Sequence, residues 1–211
     1  MQVEFSKYII NVVIVNKNNK NIYFRFKDDM KLYITASSLV PIKEIEKLIY
    51  KNEEAIIKMY ERLLLQKEAD SYFNYLGEKY TITIEEDSKI ISFVDDVVYV
   101  PSYKELNKFY NEQCIKIFNS RIEKYLDVIT DIPNFSLKIR KMKTRWGVCN
   151  RSNNTITLNS ELLKKEVTLI DYVIIHEMCH FYHADHSKNF WNKVEKYYPY
   201  YKQARKMLKN V

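Results

Sequence analysis

The sequence predicts an α+β fold, and three observations carry that prediction. Short alternating runs fill the first hundred residues, helical periodicity takes over after Pro101, and every histidine falls at the end of one well-signalled helix. The expected order is a β-rich N-terminal region, then a small mixed or antiparallel sheet with a helix carrying His-Glu-x-x-His. At 211 residues the chain can bury one large core or two small ones. Hydrophobic residues at 46% and charged residues at 29% exclude a disordered tail, and only 2 Gly and 4 Pro exclude a flexible linker.

Each element follows from its pattern. Val3–Phe5, Tyr8–Val15, Ile22–Phe26 and Leu32–Thr35 alternate in the strand manner around polar turns, which predicts a β-meander. Pro41 opens a helical region to about Glu68, where Ile42, Ile45, Leu48, Ile49, Ile56 and Tyr60 recur at helical spacing. Strands resume at Tyr72–Leu76, Lys79–Ile84, Ile90–Phe93 and Val97–Val100, and no internal repeat is evident. Pro101-Ser102 marks the expected boundary between residues 1–102 and a second domain, 103–211. In that domain Tyr103–Ile129 reads as a long amphipathic helix, and Phe135–Met142 and Thr155–Leu158 read as strands. Thr168 and Asp171 have the spacing of a capping box. Val167, Ile170, Ile174, Met178 and Phe181 then form an apolar stripe, with Ile174 about 200° from His176 and so facing away from it.

The four histidines occupy one window, His176-Glu177-Met178-Cys179-His180-Phe181-Tyr182-His183-Ala184-Asp185-His186. His176 and His180 lie about 40° apart on a helix, one turn displaced, so both imidazoles can reach one metal at about 2.0–2.1 Å. Glu177 sits beside the first ligand, placed to act as general base towards metal-activated water. His183 would lie about 10.5 Å along the axis from His176 if the helix continued, too far to converge easily. His186 converges if the chain turns after about Ala184 and restarts at Lys188–Tyr197, with Asp185 and Ser187 as turn or N-cap residues. His176, His180 and His186 are therefore the expected ligands of one zinc ion per chain. His183 is expected beside the site, Cys179 in the packed interior, and Cys149 is the alternative ligand.

The formal charge is +7. No acidic residue lies between Asp131 and Glu161, whereas Lys138, Arg140, Lys141, Lys143, Arg145 and Arg151 all do. That stretch suits phosphates or acidic substrates, or is a solvated basic surface. The cysteines Cys114, Cys149 and Cys179 are odd in number and far apart, which argues for a reducing compartment. With no secretory signal and no run of membrane-span length, a cytoplasmic protein without membrane association is expected.

Four linked motifs carry a family resemblance: Arg140-Lys141-Met142-Lys143-Thr144-Arg145-Trp146-Gly147-Val148-Cys149, Ile156-Thr157-Leu158-Asn159-Ser160-Glu161-Leu162, Asp171-Tyr172-Val173-Ile174-Ile175-His176-Glu177-Met178-Cys179-His180, and His186-Ser187-Lys188-Asn189-Phe190-Trp191. In order and spacing the chain resembles the YgjP-like metallopeptidase-domain family, metal-dependent hydrolases related in plan to the zincins. The resemblance implies a zincin-like C-terminal domain, the ligand set above, Glu177 as base, and Arg145, Trp146 and Asn159 near the cleft. Val148 departs from the serine common in the family's Trp-Gly-Ser-Cys motif. Three functions follow. A zinc peptidase could align an extended peptide on an edge strand such as Thr155–Leu158. A nucleotide pyrophosphohydrolase, an activity also assigned within the family, would use Lys141, Lys143 and Arg145 on phosphates. A non-enzymatic nucleic-acid-binding module would need a closed four-ligand metal site. The peptide substrate leads, and the sequence leaves the oligomeric state open.

Overall fold

Residues 1–209 are described by a computed structural model, which forms two compact units, one from Met1 to Ser71 and one beginning at Tyr72. The first unit holds β1 (Gln2–Glu4), β2 (Ile9–Asn16), β3 (Tyr23–Phe26) and β4 (Leu32–Ala36), followed by α1 (Ile42–Lys51) and α2 (Glu53–Asp70). Its strand order is β1-β2-β4-β3, with β2 and β4 parallel, so the expected meander is corrected. Burial explains the swap. Leu32, Ile34 and Ala36 of β4 are wholly buried, and this most deeply buried strand takes an inner position that a meander would give to β3. They pack with Ile10, Val12, Ile45, Ile49 and Ile56.

The second unit opens with β5 (Tyr72–Tyr75), β6 (Glu78–Ile84), β7 (Ser92–Val94) and β8 (Val97–Val100). Their order is β5-β6-β8-β7, again with two antiparallel hairpins joined by a parallel inner pair. The ββββ pattern of the first unit is therefore repeated, and each copy runs into a helix. Those helices match as Ile42-Lys43-Glu44-Ile45-Glu46-Lys47 and Tyr103-Lys104-Glu105-Leu106-Asn107-Lys108, with Ile45 and Leu106 both buried. The expectation of no internal repeat is corrected. Strand pairing defines the repeat, and interchangeable apolar residues hide it from inspection.

The helix after β8, α3 (Tyr103–Leu126), is capped by the Ser102 hydroxyl, which accepts from the Glu105 N–H. Leu106 on α3 shares a core with Phe73, Val98 and Val100, so Pro101-Ser102 lies inside the second unit. Next come β9 (Ser136–Arg140), β10 (Gly147–Asn150) and β11 (Thr155–Asn159). They form a mixed sheet of order β10-β11-β9, with β11 antiparallel to β10 and parallel to β9. Thr155–Leu158 is thus an inner strand, not the expected edge. Both of its neighbours are hydrogen-bonded to it, and its side chains are mostly buried.

Three helices complete the unit: α4 (Val167–Cys179), α5 (Lys188–Tyr197) and α6 (Tyr201–Met207). The capping box expected at Thr168 is not formed. The N-cap is Glu166, without a side-chain cap bond, and Asp171 is engaged elsewhere. Its carboxylate takes the Arg121 guanidinium in two bonds, Nε to Oδ1 at 2.6 Å, and also accepts from the Tyr125 hydroxyl at 2.8 Å. This nearly buried ion pair clamps α4 to α3 five residues before His176. Ile170, Ile174, Ile175 and Met178 carry the apolar side of α4 into the core, wholly buried. Among the described residues no helix is long and apolar enough to cross a membrane.

Candidate metal centre

The end of α4 builds the site. His176 and Glu177 lie in its last turn and His180 is the C-cap, so the helix stops before the expected turn near Ala184. Four successive N–H groups, from His180 to His183, bond back to carbonyls three or four residues earlier, closing the helix end. Ser187 then caps α5, its hydroxyl accepting from the Phe190 N–H at 3.5 Å. Between the two helix ends the chain folds back and returns His186 to the other two histidines.

The three rings form a nearly equilateral triangle. Their centroids are 4.9 Å (His176 to His180), 5.0 Å (His176 to His186) and 4.8 Å (His180 to His186) apart. One nitrogen from each lies within 4.8 Å of the others, and the Nε2 atoms of His176 and His186 are 3.1 Å apart. Two imidazoles on one tetrahedral zinc place their nitrogens about 3.3 Å from each other, so the arrangement fits a single ion. His180 Nδ1 donates to the His183 carbonyl at 3.1 Å, which leaves Nε2 as the free nitrogen. His183 makes this contact through its main chain, and its imidazole is not among the three. Cys149 faces the cavity without joining them, and Cys179 is buried.

Phe190 is the floor of the triangle. It is wholly buried, with its ring centroid 4.9, 4.5 and 4.8 Å from those of His176, His180 and His186. The surroundings keep the imidazoles neutral, the form a metal requires. Burial, assisted by His180, His186 and Arg205, depresses the His176 pKa to about 3. His180 and His186 are lowered as well, again chiefly by burial. Among the described residues, His176 Nδ1 is buried with no hydrogen-bond partner.

Glu177 is 5% exposed, and burial raises its pKa to about 8 against the opposing effects of a backbone hydrogen bond from Cys149 and of Arg145. It fits only because residue 147 is glycine. A Cβ there would lie 2.6 Å from both Cγ and Oε1 of Glu177. Close approach, not an unusual backbone turn, is what this glycine supplies.

These groups open into a cavity of ≈ 800 Å³. Arg145, Trp146, Val148 and Arg151 line it, together with Arg205 and Leu208 from the C-terminal end. Trp146 also donates from Nε1 to the Leu208 carbonyl at 3.0 Å, tying that end to the cavity rim. Lys143 does not line the cavity, and Lys141 pairs with Glu161 at 3.2 Å. Asn159 is wholly buried outside the lining. Its amide donates to the carbonyls of Met142 and Arg145 and accepts from the N–H groups of Met142 and Glu161, so it shapes the loop leading into β10. The sequence reading did not single out Arg205 or Phe190. Arg205 lies far along the chain, and Phe190 stood in the His186–Trp191 motif without a role assigned to it.

A buried carboxylate beside three converging imidazoles, on a scaffold of helices and small mixed sheets, defines a metal-dependent hydrolase. The chain belongs to the YgjP-like metallopeptidase domain family, whose model matches residues 20–211. It is similar to the metallopeptidase zymogen of Pyrococcus abyssi abylysin at 26% identity, over 43% of this chain and 90% of that one, with a TM-score of 0.41. The metallopeptidase zymogen of Methanocaldococcus jannaschii jannalysin is similar at 22% identity, over 38% and 80% of the two chains, with a TM-score of 0.35. No curated protein matches.

Proposed function

We propose that this chain is a zinc-dependent peptidase in which His176, His180 and His186 hold one ion and Glu177 is the general base. The carrying observation is the triangle of imidazoles, one nitrogen of each within 4.8 Å of the others, on the helix that bears Glu177. Zinc bound there would supply Lewis acidity, polarising a carbonyl and bringing water towards deprotonation near neutral pH. The residues do the rest. Glu177 takes a proton from the attacking water. It then passes that proton to the leaving amine. Phe190 excludes bulk water from beneath the rings, which strengthens electrostatic interactions at the site.

The peptide would be aligned by β10. This strand is the free edge of the three-stranded sheet, and all four of its residues line the cavity. An extended substrate can pair with that edge and bring one peptide bond to the histidines. A library of short peptides incubated with zinc-loaded protein and read by mass spectrometry tests the reading. Cleavage by wild type and loss of cleavage with Glu177→Gln are expected. Cleavage unchanged by Glu177→Gln would remove the general base.

The nucleotide reading keeps one supporting observation, that Arg145 and Arg151 line the cavity. It loses Lys141, which is committed to Glu161. The binding-module reading needed His183 or Cys149 as a fourth ligand, and neither joins the three histidines. Zinc is the expected cofactor and a peptide the expected partner.

A further inference from the structure

The cavity has an uneven charge. Three guanidinium side chains line it, those of Arg145, Arg151 and Arg205, and among the described residues Glu177 is the only acidic one in the lining. Among the described residues none of the three arginines forms an ion pair, whereas Lys141, Lys164 and Arg121 nearby all do. Three exposed arginines lining one cavity give it a positive potential that draws in an anion.

Arg205 is the best placed of them. Its guanidinium carbon lies 4.7 Å from the centre of the Trp191 ring. That ring also packs near-parallel to Tyr201, at 5.2 Å and 16°, and to His186, at 5.5 Å and 21°. A guanidinium laid on a stacked indole is held in position and still presents its N–H fork. Trp191 thus links Arg205 to His186 of the candidate metal centre, and both residues line the same cavity. Arg145 acts from the side of Glu177, and Arg151 from the side of His180 and Cys149.

We infer that the cleft selects peptides carrying a carboxylate beside the scissile bond, with Arg205 as the principal anchor and Arg145 and Arg151 widening the anionic subsite. This selection rests on the peptidase reading and names its substrate class. A planar carboxylate matches the arginine fork in two parallel bonds. The β10 edge delivers a main chain to the same wall. An acidic side chain and a free C-terminus both supply such a group, and the test separates them.

The test compares peptides of one backbone, amidated at the C-terminus, with Asp or Glu or else Asn or Gln around the cleaved bond. A neutral peptide with a free C-terminus forms a third series. With zinc-loaded wild type the carboxylate-bearing peptides should be cleaved with kcat/KM about ten- to a hundred-fold above their amide partners, mostly through KM. In Arg205→Gln that ratio should fall towards one, and Arg205→Lys should restore part of it. A preference for the free C-terminus alone would identify the carboxylate as a chain end. Binding is read separately in Glu177→Gln, through the fluorescence of Trp146 and Trp191, which line or underlie the cleft. Acidic peptides that bind in an Arg205-dependent way without cleavage by wild type would keep the selection and overturn the peptidase reading. Cleavage without acidic preference, a ratio unchanged in Arg205→Gln, or Arg205-dependent binding of nucleoside triphosphate but not of acidic peptide would overturn the inference.

Discussion

Replacing Gly147 with alanine adds one methyl group at the wall against which Glu177 rests. The new Cβ would lie 2.6 Å from Cγ, 2.6 Å from Oε1 and 2.9 Å from Cδ of Glu177. Carbon atoms in contact prefer about 3.5–4.0 Å, so the carboxylate must retreat by about 1 Å. It has little room to do so, being 5% exposed and bonded to the Cys149 N–H. A displacement of that size at a reacting group costs about 10²-fold in rate. Strand glycines are ordinarily weak points, so alanine should stabilise a strand. Here overpacking predicts a loss of about 1–3 kcal/mol instead. The assay is peptide cleavage with zinc content and denaturant unfolding measured on the same sample. The expected result is kcat down about 10²-fold, full zinc occupancy and a modest loss of stability. Full activity in Gly147→Ala, or a loss of activity no greater than its loss of zinc, would refute the reasoning that Gly147 exists to seat the base.

Three further outcomes follow from the structure. Arg121→Ala leaves the buried Asp171 carboxylate with only the Tyr125 hydroxyl, and should cost about 3–5 kcal/mol in equilibrium unfolding. Asn159→Ala strips partners from two carbonyls and two N–H groups, and should cost roughly 2–4 kcal/mol while loosening the loop ahead of β10. Metal-free protein should show a stability maximum on the acid side of neutrality. His176, lowered from 6.5 to about 3, contributes stability that is present above pH 6.5 and lost as pH falls towards 3. Glu177, raised from 4.5 to about 8, contributes stability that is present below pH 4.5 and lost as pH rises towards 8. The two oppose each other between 4.5 and 6.5. From 6.5 to 8 only Glu177 acts, so chemical denaturation of the stripped protein should show stability falling across that interval. A rise there would contradict the burial of Glu177.

Local chemistry was legible in the sequence wherever one element carried it. His176, Glu177 and His180 share one helix end, and Ser187 marks the start of α5 as a hydroxyl N-cap should. The return of His186 could be read from those two signals together. Long-range arrangement was not legible. The parallel inner pairs β2/β4 and β6/β8 depend on which strand is most deeply buried, and alternation alone does not encode this. Asp171 looked like half of a capping box because only its spacing was visible. Its partners, Arg121 and Tyr125, are about fifty residues away. Arg205 entered the site through the folding of α5 and α6, with no local motif to announce it. The basic stretch divided in the same way: Arg145 and Arg151 face the cavity, whereas Lys141 turns to Glu161.

The most direct measurement is zinc stoichiometry by native mass spectrometry on wild type, His176→Ala, His180→Ala and His186→Ala, with His183→Ala as the internal comparison. The account predicts one zinc per wild-type chain, weakened or absent binding in the first three variants, and full occupancy in His183→Ala, whose carbonyl still accepts from His180. Wild type that takes up no zinc, or loss of the ion in His183→Ala with retention in His186→Ala, would contradict it.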